Sequence, residues 1–179
     1  MRLPTLTSDK LSPAQQKAWD TISGPRGHVI GPYLVLMQRP ELATAVADLG
    51  AALRFTGTLP AADRELAILA TGREWGARFE WAVHETIARE AGVDPASIDA
   101  LRTQSSIVRL DERPRLVIRV AQALCRKHSL DDALYAEARA EFGEPMLVEL
   151  VTLVGFYCLI SCVLRGFAVE PGAGMPSTF

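Results

Sequence analysis

Cysteine is scarce in this 179-residue chain, which has three, at Cys125, Cys158 and Cys162. Three thiols at those spacings cannot build a disulfide framework, and a reducing cytoplasm is the expected compartment. An excess of charge of either sign is also lacking. Nineteen Lys and Arg against 21 Asp and Glu leave a net charge of −2, too little positive charge for a phosphate backbone, so nucleic acid is not an expected partner. No apolar stretch follows the opening Met1-Arg2-Leu3-Pro4-Thr5, which predicts no secretory leader. Period-two alternation bounded by hairpin signals is missing throughout, so no sheet is expected. The long apolar run at 146–164 carries one charge, Glu149. Its length could cross a bilayer. A charge near the middle of a lone span is costly, however, and neither a basic cluster nor an aromatic belt flanks it. A helix apolar on all sides also suits the centre of a packed α-domain or a subunit interface, so a buried helix and no membrane are expected.

What the chain does contain is a 49% apolar composition, enough for one domain with a sizeable core. Pro and Gly divide it into helices. Ser12-Pro13-Ala14-Gln15 is a capping-box start with Pro at the first helical position, and Gly24 offers a stop. Residues 24–32 hold three Gly and two Pro and read as a loop. A short helix at 33–38 precedes a longer one from Pro40 to about Gly57. The next begins at Pro60 or Asp63, and another covers 77–91, with Gly92 just past its end. Asp94-Pro95 caps a short helix reaching about Leu101. Helices at 111–127, 130–142 and 145–167 complete the set, with Ser129 as N-cap and Gly143 as C-cap of the middle one. Residues 170–179, rich in Pro and Gly, read as an arm or a frayed tail.

Chemistry is concentrated at 65–84. Glu80 and His84 stand four apart on one predicted helix, hence on one face. Glu65 lies on the preceding helix, which a short link would fold back alongside. A carboxylate beside an imidazole raises its pKa and fixes its tautomer, which makes a proton shuttle. Apolar neighbours, among them Ile68, Leu69 and Phe79, would desolvate the group. The three side chains are therefore expected to converge on one partly enclosed, largely apolar pocket. The plainer alternative is a surface Glu–His pair. Arg73 and Arg78 flank the segment and could hold a substrate carboxylate, or be solvated or paired with Glu74. Of Trp75 and Trp81, one is expected to line the pocket and the other to pack into the core. Glu65, Glu80, His84 and Glu85 do not complete a carboxylate-bridged di-metal site, because a second His-bearing helix is missing, and no metal is expected.

The stretch from Glu65-Leu66-Ala67-Ile68-Leu69-Ala70 through Trp75-Gly76-Ala77-Arg78-Phe79-Glu80-Trp81-Ala82-Val83-His84 resembles the core motif of the carboxymuconolactone decarboxylase/alkylhydroperoxidase D-like family. Peroxidase members of that family carry a Glu, eleven further residues, a Cys-x-x-Cys pair, three residues and a His. Glu65 and His84 match the Glu and the His, while the cysteines fall on Ala77 and Glu80. The aromatic-Glu-Trp-x-x-His form is similar to the decarboxylase-like branch. Glu149-Leu150-Val151 to Tyr157 and Leu164-Arg165-Gly166-Phe167 resemble the family's last helix, with Arg165 and Gly166 departing from its usual ending. The resemblance implies a single-domain, all-α helical bundle of the alkylhydroperoxidase D-like type. It implies an arm at 1–39, a helical domain at 40–169 and a tail at 170–179, assembled as a homo-trimer or homo-hexamer. It further implies a cofactor-free lyase in which Glu65, Glu80 and His84 act on a small acidic, lactone-type metabolite, with Arg73, Arg78, Trp75 and Trp81 binding it. A non-catalytic metabolite-binding or structural oligomer is the alternative. Thiol-peroxidase activity is not expected in either case, because Ala77 and Glu80 cannot supply a thiolate and a resolving thiol. Cys158 and Cys162, four apart on an apolar helix, read as small buried hydrophobes.

Overall fold

The computed structural model describes residues 1–4, 6–175 and 178–179. It is all-helical, with no strand among the described residues. Among the described residues, eight α-helices follow a short 3-10 turn at Ser8–Lys10: α1 (Pro13–Arg26), α2 (Pro32–Leu36), α3 (Pro40–Ala51), α4 (Ala61–Glu74), α5 (Arg78–Glu90), α6 (Pro95–Thr103), α7 (Glu112–Lys127) and α8 (Asp132–Gly166). The chain forms two compact units, Met1–Gly57 with Val163–Glu170, and Thr58–Cys162 with Pro171–Phe179.

In the first unit α1 begins as its sequence dictates. Ser12 Oγ accepts from the Gln15 N–H, and the Gln15 side chain accepts from the Ser12 N–H in return. The helix does not stop at Gly24. It continues to Arg26, because the left-handed residue that closes it is Gly27 (φ 75°), which glycine adopts without steric cost. α1 and α2 both pack on α3, burying Ile22, Met37, Ala43 and Ala47. α3 passes into a π-helical turn at Ala52–Thr56 before Gly57.

In the second unit α4 is the central helix, packed against α5, α6 and α7. Leu66, Ala67, Ile68, Leu69, Ala70, Thr71 and Gly72 are all buried, so no face of that stretch meets water. Short links follow, and four helix ends use the left-handed region: Gly76 (φ 61°) after α4, Gly92 (φ 82°) after α5, Gln104 (φ 53°) after α6 and His128 (φ 61°) after α7. The cap of the next helix is Asp131, not Ser129. The Asp131 carboxylate accepts from the Leu134 N–H at 2.9 Å, whereas the Ser129 hydroxyl turns back to the Lys127 carbonyl. A carboxylate one residue before the helix is the stronger acceptor for its free N–H groups.

α8 is broken at Gly143 (φ 70°, ψ 168°), where the sequence places a boundary, and Pro145 lies in the first turn beyond. The apolar segment after it is not buried on all sides. Leu147, Leu150, Leu153, Val154, Tyr157 and Ile160 are buried, while Val148, Thr152, Gly155, Leu159 and Cys162 form an exposed stripe on the opposite face. By length and composition α8 could span a bilayer, and half of its most apolar window is buried within the protein. The one charge of the apolar segment 146–164 has a defined task. Glu149 accepts from the Thr58 N–H (2.8 Å), the Thr58 hydroxyl (3.0 Å) and the Leu59 N–H (3.1 Å), fixing the approach to α4. Bonds to an ionised acceptor contribute more than neutral ones. Glu149→Ala is expected to lower the unfolding free energy by about 2 kcal/mol, as read from urea denaturation.

Candidate functional site

Four side chains from three helices meet inside the second unit. Glu65 comes from α4, Glu80 and His84 from α5, and Tyr157 from α8. The i, i+4 spacing puts Glu80 and His84 on one face of α5, and the tight link at Trp75 to Ala77 lays that face against α4. The helices approach closely at Gly72, where a Cβ would meet the Glu80 Cβ at 3.6 Å, an ordinary van der Waals contact. The His84 ring is held at both nitrogens. Nδ1 lies 2.6 Å from Glu65 Oε2, and Nε2 lies 3.2 Å from Glu80 Oε2 and 3.3 Å from the Tyr157 hydroxyl. The Tyr157 ring meets the imidazole edge-on, with centroids 5.2 Å apart. Arg64 Nε is 3.5 Å from the other Glu65 oxygen, an ionic contact at the outer side of the cluster.

All four members are buried, with His84 3% and Glu65 1% exposed. Burial alone pushes the His84 pKa down, because it penalises the cation. Hydrogen bonds and negative charge from Glu65 and Glu80 outweigh it, and the His84 pKa is raised above its ordinary 6.5. The arrangement is therefore an imidazole whose protonated form is favoured by a carboxyl group at each ring nitrogen, a group suited to proton transfer. Glu80→Gln is expected to move the His84 titration to lower pH, because one of the two anionic partners is replaced by a neutral amide. Following the imidazole proton resonances by NMR against pH reads the shift, and an unmoved titration would deny Glu80 its influence. Both ring nitrogens already face a partner, and among the described residues no group of His, Cys, Asp and Glu is arranged to hold a metal ion.

The other residues singled out in the sequence lie elsewhere. Trp81 and Glu85 occupy a different face of α5, since one residue along a helix is about 100° around it. The buried Trp81 indole donates to Glu85 at 2.8 Å. Glu85 also accepts from Arg89 (3.2 and 2.8 Å) and from Arg102 of α6. Burial raises the Glu85 pKa, but the Arg89, Arg102 and Trp81 hydrogen bonds outweigh it and hold it below the usual carboxylate value. The end of the tail is not frayed. Phe179 packs edge-on against Trp81 at 5.3 Å and lies 4.1 Å below the Arg73 guanidinium, and its main-chain oxygen accepts two bonds from Arg78. Glu74 pairs with Arg126, not with Arg73 or Arg78. Trp75 is partly exposed and donates to the Cys158 sulfur.

Sequence reasoning thus brought together Glu65, Glu80 and His84 but missed Tyr157, which is 73 residues beyond His84. No local signal marks it, because an aromatic in an apolar helix reads as core. The Glu85–Arg89 pair was legible at i, i+4, whereas Arg102 joins it only through the packing of α6.

Residues 40–123 match the carboxymuconolactone decarboxylase family. No curated protein matches the chain. Among solved structures, an uncharacterised peroxidase-related protein from Silicibacter sp. TM1040 has a TM-score of 0.78 at 18% identity, covering 97% of this chain and 93% of that one. An alkylhydroperoxidase AhpD core protein from Ralstonia eutropha JMP134, also peroxidase-related and uncharacterised, has a TM-score of 0.77 at 19% identity, covering 96% and 92%. The debrominase Bmp8, solved with 2,3,4-tribromopyrrole, has a TM-score of 0.73 at 15% identity, covering 97% and 92%. These identities speak for the fold. The likeness to the carboxymuconolactone decarboxylase family thus lies over residues 40–123, and the chain has the all-helical fold of the alkylhydroperoxidase D-like proteins.

Proposed function

We propose that the protein is a cofactor-free lyase that decarboxylates a small acidic, lactone-type metabolite, with His84 as the proton donor. The observation that carries this reading is the buried imidazole between Glu65 and Glu80 with a raised pKa. Loss of carbon dioxide leaves a delocalised carbanion that must be protonated, and a histidine whose protonated form is favoured by its neighbours is suited to supply that proton. Glu65 holds the ring through Nδ1. Glu80 and Tyr157 share the Nε2 side, from which the proton would leave. Arg73, Arg78, Trp75 and Trp81 are left out of this reading, because they face Phe179 or Cys158 instead of the imidazole.

A second reading, a non-catalytic binder or structural oligomer, is favoured by one observation: the cluster is closed in the single chain. A depletion screen with acidic lactones separates the two. Carbon dioxide release by the wild type that is lost in His84→Ala supports the lyase, and an inactive wild type across the screen removes it. The homo-trimer or homo-hexamer is part of the proposal. The exposed apolar stripe on α8, with Val148 65% and Leu159 42% exposed, is a surface that a second copy would cover. A monomeric mass by light scattering at micromolar concentration would exclude the oligomer.

A further inference from the structure

Two of the three cysteines stand where no adjacent spacing would put them. Cys125 on α7 and Cys158 on α8 are 33 residues apart, yet their sulfurs are 3.8 Å apart, in S–H···S contact. Neither is sealed in the core: both are half-buried, and Cys162, one turn beyond Cys158, is exposed. The reading of Cys158 as an inert buried hydrophobe therefore fails on both proximity and access.

The two thiols are also unlike each other. The Trp75 indole N–H points at the Cys158 sulfur from 3.2 Å, a donor that favours the anionic form. Together with the Cys125 hydrogen bond and the His128 imidazole it outweighs burial and lowers the Cys158 pKa to about 6. The Cys125 pKa moves the opposite way, pushed up by its bond to Cys158, by burial and by the nearby Glu74. The Trp75 N–H at its sulfur makes Cys158 the better placed of the two to carry the negative charge, and so to attack first in stepwise disulfide formation.

We propose that Cys125 and Cys158 are a redox-active dithiol site that closes to an intramolecular disulfide on reaction with a low-molecular-weight disulfide. In the first step the Cys158 thiolate attacks one sulfur of the oxidant, forming a mixed disulfide and expelling one thiolate. In the second, Cys125 attacks the Cys158 sulfur of that mixed disulfide. The Cys125–Cys158 bond forms, the second small thiolate leaves, and the Cys125 proton passes to solvent. Two protein thiols are oxidised and one small disulfide is reduced to two thiols. A disulfide bond is about 2.05 Å long, so closure draws the sulfurs together by less than 2 Å, within reach of side-chain rotation and a small helix adjustment. The pair involves neither position 77 nor position 80; Trp75 directly follows α4, and Cys158 directly follows Tyr157 of the Glu65–His84 cluster on α8.

The test is incubation of the intact protein with oxidised glutathione, then alkylation, intact mass and peptide mapping. Expected are the loss of two of the three titratable thiols, a Cys125–Cys158 cross-linked peptide and a Cys162 that remains alkylatable. Cys125→Ser should arrest the reaction at a stable glutathione adduct on Cys158, because the resolving thiol is gone. Cys162→Ser should change nothing. Trp75→Phe should slow the first step without changing the product. Three thiols still titratable in the wild type, a stable adduct there, or a disulfide that includes Cys162 would each overturn the assignment.

Discussion

His84→Ala is expected to destabilise the protein by about 3–5 kcal/mol at neutral pH, more than any other single side-chain truncation considered above. The imidazolium is the buried cation between Glu65 and Glu80, and removing one member of a buried ionic cluster leaves the others uncompensated. The pH dependence identifies the cause. His84 has a raised folded pKa, so its contribution is full below the ordinary value of 6.5 and is lost as pH rises through the folded value. The difference between wild type and variant should therefore be largest below the ordinary imidazole value and shrink as pH rises through the folded one. Urea denaturation from acid to mildly alkaline pH measures it, and a difference independent of pH would reduce the effect to a cavity. If the cluster performs the proposed chemistry, turnover should also fall by roughly two to four orders of magnitude, the usual loss on removing a general acid.

Glu85→Ala is expected to cost about 3 kcal/mol. Glu85 is the acceptor for the Trp81 indole N–H, for Arg89 and for Arg102, and Trp81 has no exposed surface from which to recruit water. An orphaned buried donor costs about 1–3 kcal/mol, and charge-assisted bonds to the arginines add to that. Here the pH sign is opposite to that of His84. The folded Glu85 pKa is lowered, so its contribution is present above the ordinary carboxylate value of 4.5 and is lost as pH falls through the folded one. Glu85→Gln, which keeps the shape but not the charge, should lose stability near neutrality and respond less to acid than the wild type does. Trp81 fluorescence during thermal unfolding reads both variants, and equal midpoints for Glu85→Gln and wild type at pH 7 would refute the charge argument.

Local rules decided much of this protein. The capping box at Ser12, the breaks at Gly92 and Gly143, and the starts at Pro13, Pro40 and Pro95 are properties of a few adjacent residues, and each appears where backbone chemistry requires it. The pairing of Glu80 with His84 is equally local, because 3.6 residues per turn puts positions four apart on one face. Local rules gave out where one signal had two physical solutions. Gly24 is tolerated within α1, so the helix ran on to the glycine that takes a left-handed turn, and Asp131 displaced Ser129 as cap because an anion is the better acceptor.

Tertiary packing alone decided the remainder. Nothing near Glu149 says that it holds Thr58 and Leu59, 91 and 90 residues away, and nothing near Tyr157 directs it to His84. Cys125 and Cys158 read as unrelated thiols until α7 and α8 bring their sulfurs into contact. The physical reason is the range of the forces. Helix starts, stops and same-face pairs depend on bonds spanning three or four residues, so the sequence contains them outright. Contacts between helices depend on which apolar stripes interdigitate, a property of the whole packed core that no short stretch of residues encodes.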